Sequence, residues 1–238
     1  SRTGDRLRIS YAEYQGLSLT VWITLEKGNS TPALTFRFLP EDDGWYSIGY
    51  TGAPSVQPEK TEEIWQPLFW QEKRFPAWSY VTMAFRTPLP TTLVTYDGVT
   101  TGVVADPKEF PYEPLPLFEN SRFGVAVRNA RGEAQPILIA PVLGGHGSQM
   151  KSGEAFEFTM RLYVGGGELL QGYEEISRSI YDFGDYRQND FVSLNTTLEN
   201  IIDYGTGEYD RFIEEYKGYS YATDIPGAVK NVSSLHPL

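Results

Sequence analysis

Hydrophobic and polar positions change their period once along this chain, close to residue 165. From 156 to 164, apolar residues alternate with polar ones such as Glu157 and Thr159, which predicts a strand with one buried face. Three glycines follow at Gly165–Gly167, and apolar residues then recur at helical spacing as far as Ile180. The patterns before this junction are almost all strand-like, and those after it are almost all helical.

Short strand patterns fill the chain before the junction. Leu17–Glu26 alternates apolar and polar residues, and Asp97-Gly98 is typical of a hairpin turn with positive φ at both central residues. Ile64–Trp70 also fits a strand, which Pro67 confines to an edge or a bulge. Many short strands without intervening helices predict a mainly β fold, a large antiparallel β-sandwich (super-sandwich) over residues 1–166.

Residues 167–238 predict a helical linker and the start of a helical domain, which would be truncated here. A second helix is expected over Leu194–Tyr204, capped by Ser193 or Asn195, and a third from Tyr209 to Tyr216. The last pattern, after Asp224, is an apolar stripe of Ile225, Val229, Val232, Leu235 and Leu238. We expect a helical domain of a longer protein to bury this stripe, the alternative being that it packs back on the sandwich.

The charge and cysteine content exclude several classes of function. The net charge is −11 and the isoelectric point is about 4.7, so a nucleic acid partner is not expected. The absence of cysteine excludes a disulfide scaffold, a thiolate zinc site and a cysteine nucleophile. No apolar run is long enough to span a bilayer.

His146 stands in a glycine-rich stretch, Leu143-Gly-Gly-His-Gly-Ser, where a general base or a ligand could lie. Glycine also suits a tight connection between two strands, and we favour this structural interpretation. The second histidine, His236, lies in the terminal segment, so a histidine-rich metal site is not expected. The sequence therefore predicts neither a metal site nor a cofactor.

Aromatic residues cluster between 45 and 78 and offer the best candidates for ligand contact. Sugar rings stack on exposed indole faces, and the candidate sugar or interdomain contacts are Trp45, Trp65, Trp70 and Trp78. Asp185 and Arg187 are further candidates, in the stretch that starts at Tyr181. For these two we favour a salt-bridged elbow between the sheet and the helices over a substrate contact.

The order of a sandwich, a linker helix and further helices resembles two-domain bacterial carbohydrate-active enzymes of the six-hairpin glycosidase type. In these, a galactose-mutarotase-like super-sandwich precedes an α/α toroid. The matching stretches are Pro141-Val-Leu-Gly-Gly, Lys151-Ser-Gly-Glu-Ala-Phe-Glu-Phe, Tyr181–Asn189, Ser193-Leu-Asn-Thr-Thr-Leu-Glu-Asn and Asp224-Ile-Pro-Gly-Ala-Val-Lys-Asn-Val-Ser. The resemblance implies that the catalytic acids lie in the toroid, so it assigns no catalytic residue to this chain.

Three functions follow as hypotheses. The first is a non-catalytic N-terminal sandwich of a secreted or periplasmic polysaccharide-degrading enzyme, which braces the helical catalytic domain of the same chain and lines part of a sugar cleft. The second is a stand-alone carbohydrate-binding module that binds a polysaccharide or oligosaccharide through the tryptophans. The third is a lyase or sugar epimerase that acts through His146.

Overall fold

The computed structural model describes residues 2–3, 6–11, 16–27, 31–69, 75–110, 122–185, 192–206, 211–216, 218–220 and 230–231. The chain divides into two compact units, Ser1–Gly184 and Asp185–Leu238, and each is described by itself. Within the described ranges, no helix combines the length and apolar character that crossing a bilayer requires.

The first unit is built from antiparallel strands. In chain order these are β1 (Arg2–Thr3), β2 (Arg6–Ser10), β3 (Leu17–Thr24), β4 (Ala33–Pro40), β5 (Gly44–Trp45), β6 (Gly49–Thr51), β7 (Glu63–Trp65), β8 (Thr82–Met83), β9 (Thr91–Tyr96), β10 (Val99–Ala105), β11 (Gly124–Arg128), β12 (Ala134–Ile139), β13 (Gln149–Met150) and β14 (Phe156–Gly166). Short 3₁₀ helices occupy Pro58–Lys60, Ala84–Arg86 and Pro107–Glu109. The predicted mainly β fold is confirmed.

Eight strands form a large sheet in the order β1-β2-β3-β4-β14-β10-β9-β7, and four form a smaller sheet in the order β6-β12-β11-β8. The predicted hairpin joins β9 to β10, with φ of 49° at Asp97 and 68° at Gly98. Of the strand predicted over Ile64–Trp70, only the first residues form one: β7 is an edge strand that ends at Trp65, and Pro67 lies in a turn that the Phe69 N–H closes on the carbonyl of Gln66 at 3.0 Å. β5 and β13 pair separately as a two-stranded ribbon.

The main core lies between the two sheets. Alternate residues of β14, including Phe158 and Met160, pack with Phe38 and Val103 of the large sheet and with residues of the small sheet such as Leu138. Burying each of these side chains contributes about 1.5–3 kcal/mol. The apolar residues that recur at every second position of β14 therefore point into the core of the sandwich.

One helix, α1 (Leu169–Ser179), covers the other face of β9, β10 and β14. Leu169 and Ile176 pack against Leu93, Val104 and Tyr163 there. This is why β9 and β10 are buried on both faces. The backbone N–H of Leu169, at the start of the helix, donates to the Glu63 carboxylate at 2.8 Å. The predicted change from strand to helix after Gly165–Gly167 is confirmed.

The second unit departs from the all-helical prediction. The second helix, α2 (Leu194–Thr206), is confirmed, and Ser193 caps it by accepting the Thr196 N–H at 3.1 Å. The predicted third helix is wrong. Residues Arg211–Ile213 form β15 and Gly218–Ser220 form β16, with a 3₁₀ turn at Glu214–Tyr216 between them. Aromatic and β-branched residues suit strands as well as helices, and here pairing between strands prevails over a helical spacing.

The predicted terminal helix is contradicted where the chain is described, because Lys230–Asn231 form strand β17, paired with β16. The residues of the terminal apolar stripe, Ile225, Val229, Val232, Leu235 and Leu238, lie outside the described residues. The idea that a further domain buries this stripe stays a prediction.

Candidate functional site

The ribbon of β5 and β13 frames an open cleft on the first unit. Trp45 lies opposite Gln149, and Gly44 lies opposite Met150. The cleft has a volume of about 500 Å³ and is lined by Asp43, Gly44, Trp45, Gln149, Met150, Lys151 and Glu154. We call it the Trp45 cleft.

Local hydrogen bonds fix the walls of the Trp45 cleft. The Asp43 carboxylate accepts the Ser152 N–H at 2.8 Å, and the Glu154 carboxylate accepts the Lys151 N–H at 3.1 Å. The Tyr46 N–H donates to the carbonyl of Ser148 at 2.8 Å, which extends the ribbon. Two carboxylates are thus held by backbone groups beside the indole.

The cleft rests on the core of the sandwich, while its tryptophan faces solvent. Met150 is buried and belongs to the main core cluster. The Trp45 side chain, by contrast, is 57% exposed. The backbone of Trp45 is held by its pairing with Gln149, and its exposed indole offers an apolar plane to a ligand.

The chemistry of the lining suits a neutral, hydroxyl-rich ligand. Asp43 and Glu154 supply acceptors, Lys151 supplies an ammonium donor and Gln149 supplies both kinds of group. The formal charges of the three ionised side chains sum to −1, so no strong field of one sign selects an ion. An aromatic plane edged by donors and acceptors is the arrangement that a sugar ring can use.

His146 lies on the connection that leads into β13. The carbonyl of Val142 accepts the Gly145 N–H at 2.8 Å, and the carbonyl of Gly145 accepts the Ser148 N–H at 3.1 Å. Two glycines of this stretch, Gly144 and Gly147, have φ near 80°. Successive tight turns therefore account for the glycines, which favours the structural interpretation of this motif.

The other tryptophans have separate surroundings. Trp65 is half-buried, with its ring 5.0 Å from that of Tyr173 in an edge-to-face contact, so it belongs to the packing between β7 and α1. Trp78 is exposed on the segment before β8. Trp70 lies outside the described residues. Trp45 is thus the predicted tryptophan that the structure places at a cleft.

The predicted elbow is described only in part. Asp185 begins the second unit and is exposed, whereas Arg187 lies outside the described residues. Before them, the Tyr181 hydroxyl donates to the carbonyl of Ala105 at 2.7 Å, and the Phe183 N–H donates to the carbonyl of Ser177 at 2.9 Å. Burial raises the pKa of Tyr181 well above its ordinary value, which keeps the hydroxyl protonated as a donor. The end of α1 is therefore fixed to the large sheet.

The sequence patterns did not predict that Gln149, Lys151 and Glu154 line this cleft. The pairing of β5 with β13 joins positions far apart in the sequence, and the Asp43–Ser152 contact spans 109 residues. Nothing local signals such a contact. Within the part of the chain that is described, no group of three or more His, Asp or Glu side chains could hold a metal ion.

Three solved structures have a distant likeness to this chain. No protein-family model matches the chain. The comparison with curated proteins also finds no match. Among solved structures, the chain is similar to a putative aldose 1-epimerase from Escherichia coli K12, with a TM-score of 0.39 and 10% identity over 70% of this chain and 67% of that one.

Two further structures are similar to a comparable degree. One is a TPR-domain containing protein from Parabacteroides distasonis, with a TM-score of 0.40 and 12% identity over 85% of this chain and 40% of that one. The other is the Slr1438 protein from Synechocystis, with a TM-score of 0.35 and 9% identity over 70% of this chain and 64% of that one. Because all three TM-scores are below 0.5, we draw nothing about family or activity from these likenesses.

Proposed function

We propose that this chain is a glycan-binding β-sandwich that holds a neutral sugar in the Trp45 cleft. The observation that carries the proposal is an exposed indole that lines an open cleft with both donors and acceptors in its lining. The sugar ring would stack its apolar face on Trp45 and direct its hydroxyls to Lys151, Glu154 and Gln149. Catalysis is not required of any of these groups.

In its wider setting, we propose that the sandwich belongs to a secreted or periplasmic polysaccharide-degrading enzyme and braces a helical catalytic domain of the same chain. The support is the sequence resemblance from Pro141 onward, together with α2, the one helix expected of that domain that the structure describes. A stand-alone binding module would use the same cleft. The presence of a catalytic domain in the full gene separates the two settings.

The experiment is a calorimetric titration of the 238-residue chain with trisaccharides from xylan, glucomannan and mixed-linkage β-glucan. We expect at least one to bind, and Trp45→Ala to weaken its binding by about tenfold, the range of a single stacking contact. Trp45→Phe keeps an aromatic plane and should lose less. Leu143→Ala, an exposed residue on the loop before β13, is the matched control.

Two results would count against the proposal. One is equal binding by the wild type and Trp45→Ala, which would place the sugar elsewhere. The other is turnover of a sugar by the chain that His146→Ala abolishes, which would support the lyase or epimerase hypothesis. A His146→Ala variant that binds like the wild type is the expected outcome.

A further inference from the structure

Three exposed arginines lie on the same face of the large sheet. Arg6 and Arg8 belong to β2 and Arg37 belongs to β4, with Trp22 of β3 between them. Phe38, the residue after Arg37, is completely buried in the main core, so the Arg37 side chain points to the opposite side, away from the small sheet. We call Arg6, Arg8, Arg37 and Trp22 the Arg37 face.

The pairing register places these side chains in three adjacent rows. Arg8 lies opposite Trp22, which lies opposite Thr35, so this row crosses β2, β3 and β4. Arg6 lies one row to one side of it and Arg37 lies one row to the other side. With about 4.8 Å between strands and about 6.8 Å between alternate residues, the Cα atoms of Arg6 and Arg37 are about 17 Å apart. A ligand that reaches both arginines must therefore be extended and carry more than one anionic group.

Trp22 positions the two arginines of β2. The guanidinium carbon of Arg6 lies 5.0 Å from the centre of the half-buried Trp22 ring, and that of Arg8 lies 5.9 Å from it. This cation–π attraction does not use up the N–H donors through which a guanidinium binds a carboxylate. The indole therefore holds positive charge in place without occupying the groups that recognise an anion.

The carboxylates near this face leave its charge positive. Asp106 and Glu26 bind the buried Arg161 of β14, at 2.8 Å and 3.3 Å from its guanidinium nitrogens. Among the residues of β2, β3, β4 and β14 that point to this side, the acidic one is Glu157, which lies opposite Arg37. On these four strands, three exposed arginines therefore face one exposed carboxylate.

The sequence shows the same distribution of charge. Residues 1–40, which include the whole of the Arg37 face, contain five basic and three acidic side chains. The whole chain contains 20 basic and 31 acidic ones, so the rest of it is strongly negative. Within an acidic protein, this locally positive surface attracts an anionic ligand.

We infer that the Arg37 face binds an acidic polysaccharide, whose uronate carboxylates pair with Arg6 and Arg37. Its hydroxyls bond to Thr20 and Thr24, which point to the same side from β3 at the rows of Arg37 and Arg6. An acidic protein suits the face less, because a stable protein interface buries about 800 Å² on each side, whereas five residues of three strands span about 14 Å by 17 Å. The inference goes beyond the proposed function and does not depend on a sugar in the Trp45 cleft.

The test measures binding of the full chain to galacturonate oligomers by biolayer interferometry. The same oligomers with every carboxylate methyl-esterified are the uncharged comparison, and we expect them to bind at least about tenfold more weakly. A chain with both Arg6→Gln and Arg37→Gln should also bind the charged oligomers about tenfold more weakly, because two exposed charge contacts are lost. Arg86→Gln is the matched control, since this exposed arginine also lies over an aromatic ring, 5.4 Å from that of Phe85, but away from β2–β4.

Glu157→Gln tests the sign of the charge effect. Removing the exposed carboxylate opposite Arg37 should strengthen binding of the charged oligomers by about two- to threefold. Equal binding of charged and esterified oligomers would overturn the inference, as would wild-type binding by the Arg6→Gln, Arg37→Gln chain. Failure of galacturonate oligomers, alginate and glucuronoxylan alike to bind would also overturn it. So would tighter binding of polyglutamate of equal charge, because the partner would then be an acidic protein.

The outcomes also distinguish this inference from the proposed function. Trp45→Ala should leave binding of the galacturonate oligomers unchanged, and the Arg6→Gln, Arg37→Gln chain should bind neutral trisaccharides like the wild type. If the charged oligomers bind through the Arg37 face while every neutral trisaccharide fails to bind, only the Trp45 proposal fails. If Trp45→Ala abolishes galacturonate binding and the double variant does not weaken it, only the inference about the Arg37 face fails.

Discussion

The side chain of Gln66 links three segments of the first unit by hydrogen bonds, and its substitution tests how much these bonds stabilise the small sheet. Its side chain is 2% exposed, and its amide donates to the carbonyl of Tyr80 at 2.7 Å and to Thr82 Oγ1 at 2.9 Å. Its oxygen accepts the Val127 N–H at 3.0 Å. Gln66→Met keeps a similar length and volume while removing every one of these hydrogen bonds.

The cost follows from the groups left behind. The Val127 N–H and the carbonyl of Tyr80 would lose a partner, and each orphaned buried group costs about 1–3 kcal/mol. We therefore expect the free energy of unfolding to fall by about 2–6 kcal/mol. Gln135→Met is the matched control: this half-buried glutamine also makes two side-chain bonds, donating to the carbonyl of Ala53 at 3.0 Å and accepting from Asn129 Nδ2 at 3.2 Å, but nearer to solvent. Because water can replace these partners, the loss should be about 1 kcal/mol.

Urea unfolding followed by tryptophan fluorescence is the assay. All five tryptophans lie at or before Trp78, so the signal reports the first unit alone. If Gln66→Met lowers the free energy of unfolding by no more than Gln135→Met does, the reasoning is refuted, because the buried hydrogen bonds of Gln66 would then contribute no additional stability.

Two further predictions concern the sheet and the β11–β12 turn. Gly102→Ala would place a Cβ 2.9 Å from the carbonyl oxygen of Thr92 and against Leu93 Cδ2, so it should destabilise the chain by about 1–3 kcal/mol in thermal unfolding. The control is Gly166→Ala, whose Cβ meets no atom within 4 Å and which should be near neutral. Equal effects would count against the packing. Hydrogen bonds from Asn129, Ser55 and Arg131 lower the pKa of Glu133 from 4.5 to about 2. Its stabilisation is therefore complete above about pH 4.5 and is lost as the pH falls through about 2, and Glu133→Gln should flatten the pH dependence of unfolding in this window. An unchanged acid profile would show that this carboxylate is not stabilised by the fold.

The strands that sequence patterns predicted best are those with strict alternation and a local turn. The β9–β10 hairpin follows directly from Asp97-Gly98, and β14 follows from its apolar period of two. The turn that follows β7 begins at Pro67, a residue suited to the first central position of a turn. In each case the physical cause lies within a few neighbouring residues, so the pattern carries the information.

Contacts between segments far apart in the chain could not be predicted from local sequence patterns. The Trp45 cleft exists because β13 returns to β5, and Gln66 reaches Val127 across 61 residues. Trp65, a candidate sugar or interdomain contact, is half-buried and packs edge-to-face on Tyr173 of α1, a contact that no local pattern indicates. The prediction of a third helix was wrong for a related reason. The apolar spacing of this segment fits a helix, but the pairing of β15 with β16 makes it a strand.

The most direct test of the account is a structure of this chain with the tightest-binding oligosaccharide from the titrations. We predict a sugar ring stacked on Trp45, with hydroxyls within hydrogen-bond distance of Lys151 or Glu154. An oligosaccharide bound elsewhere on the chain, with the indole of Trp45 left uncovered, would contradict it.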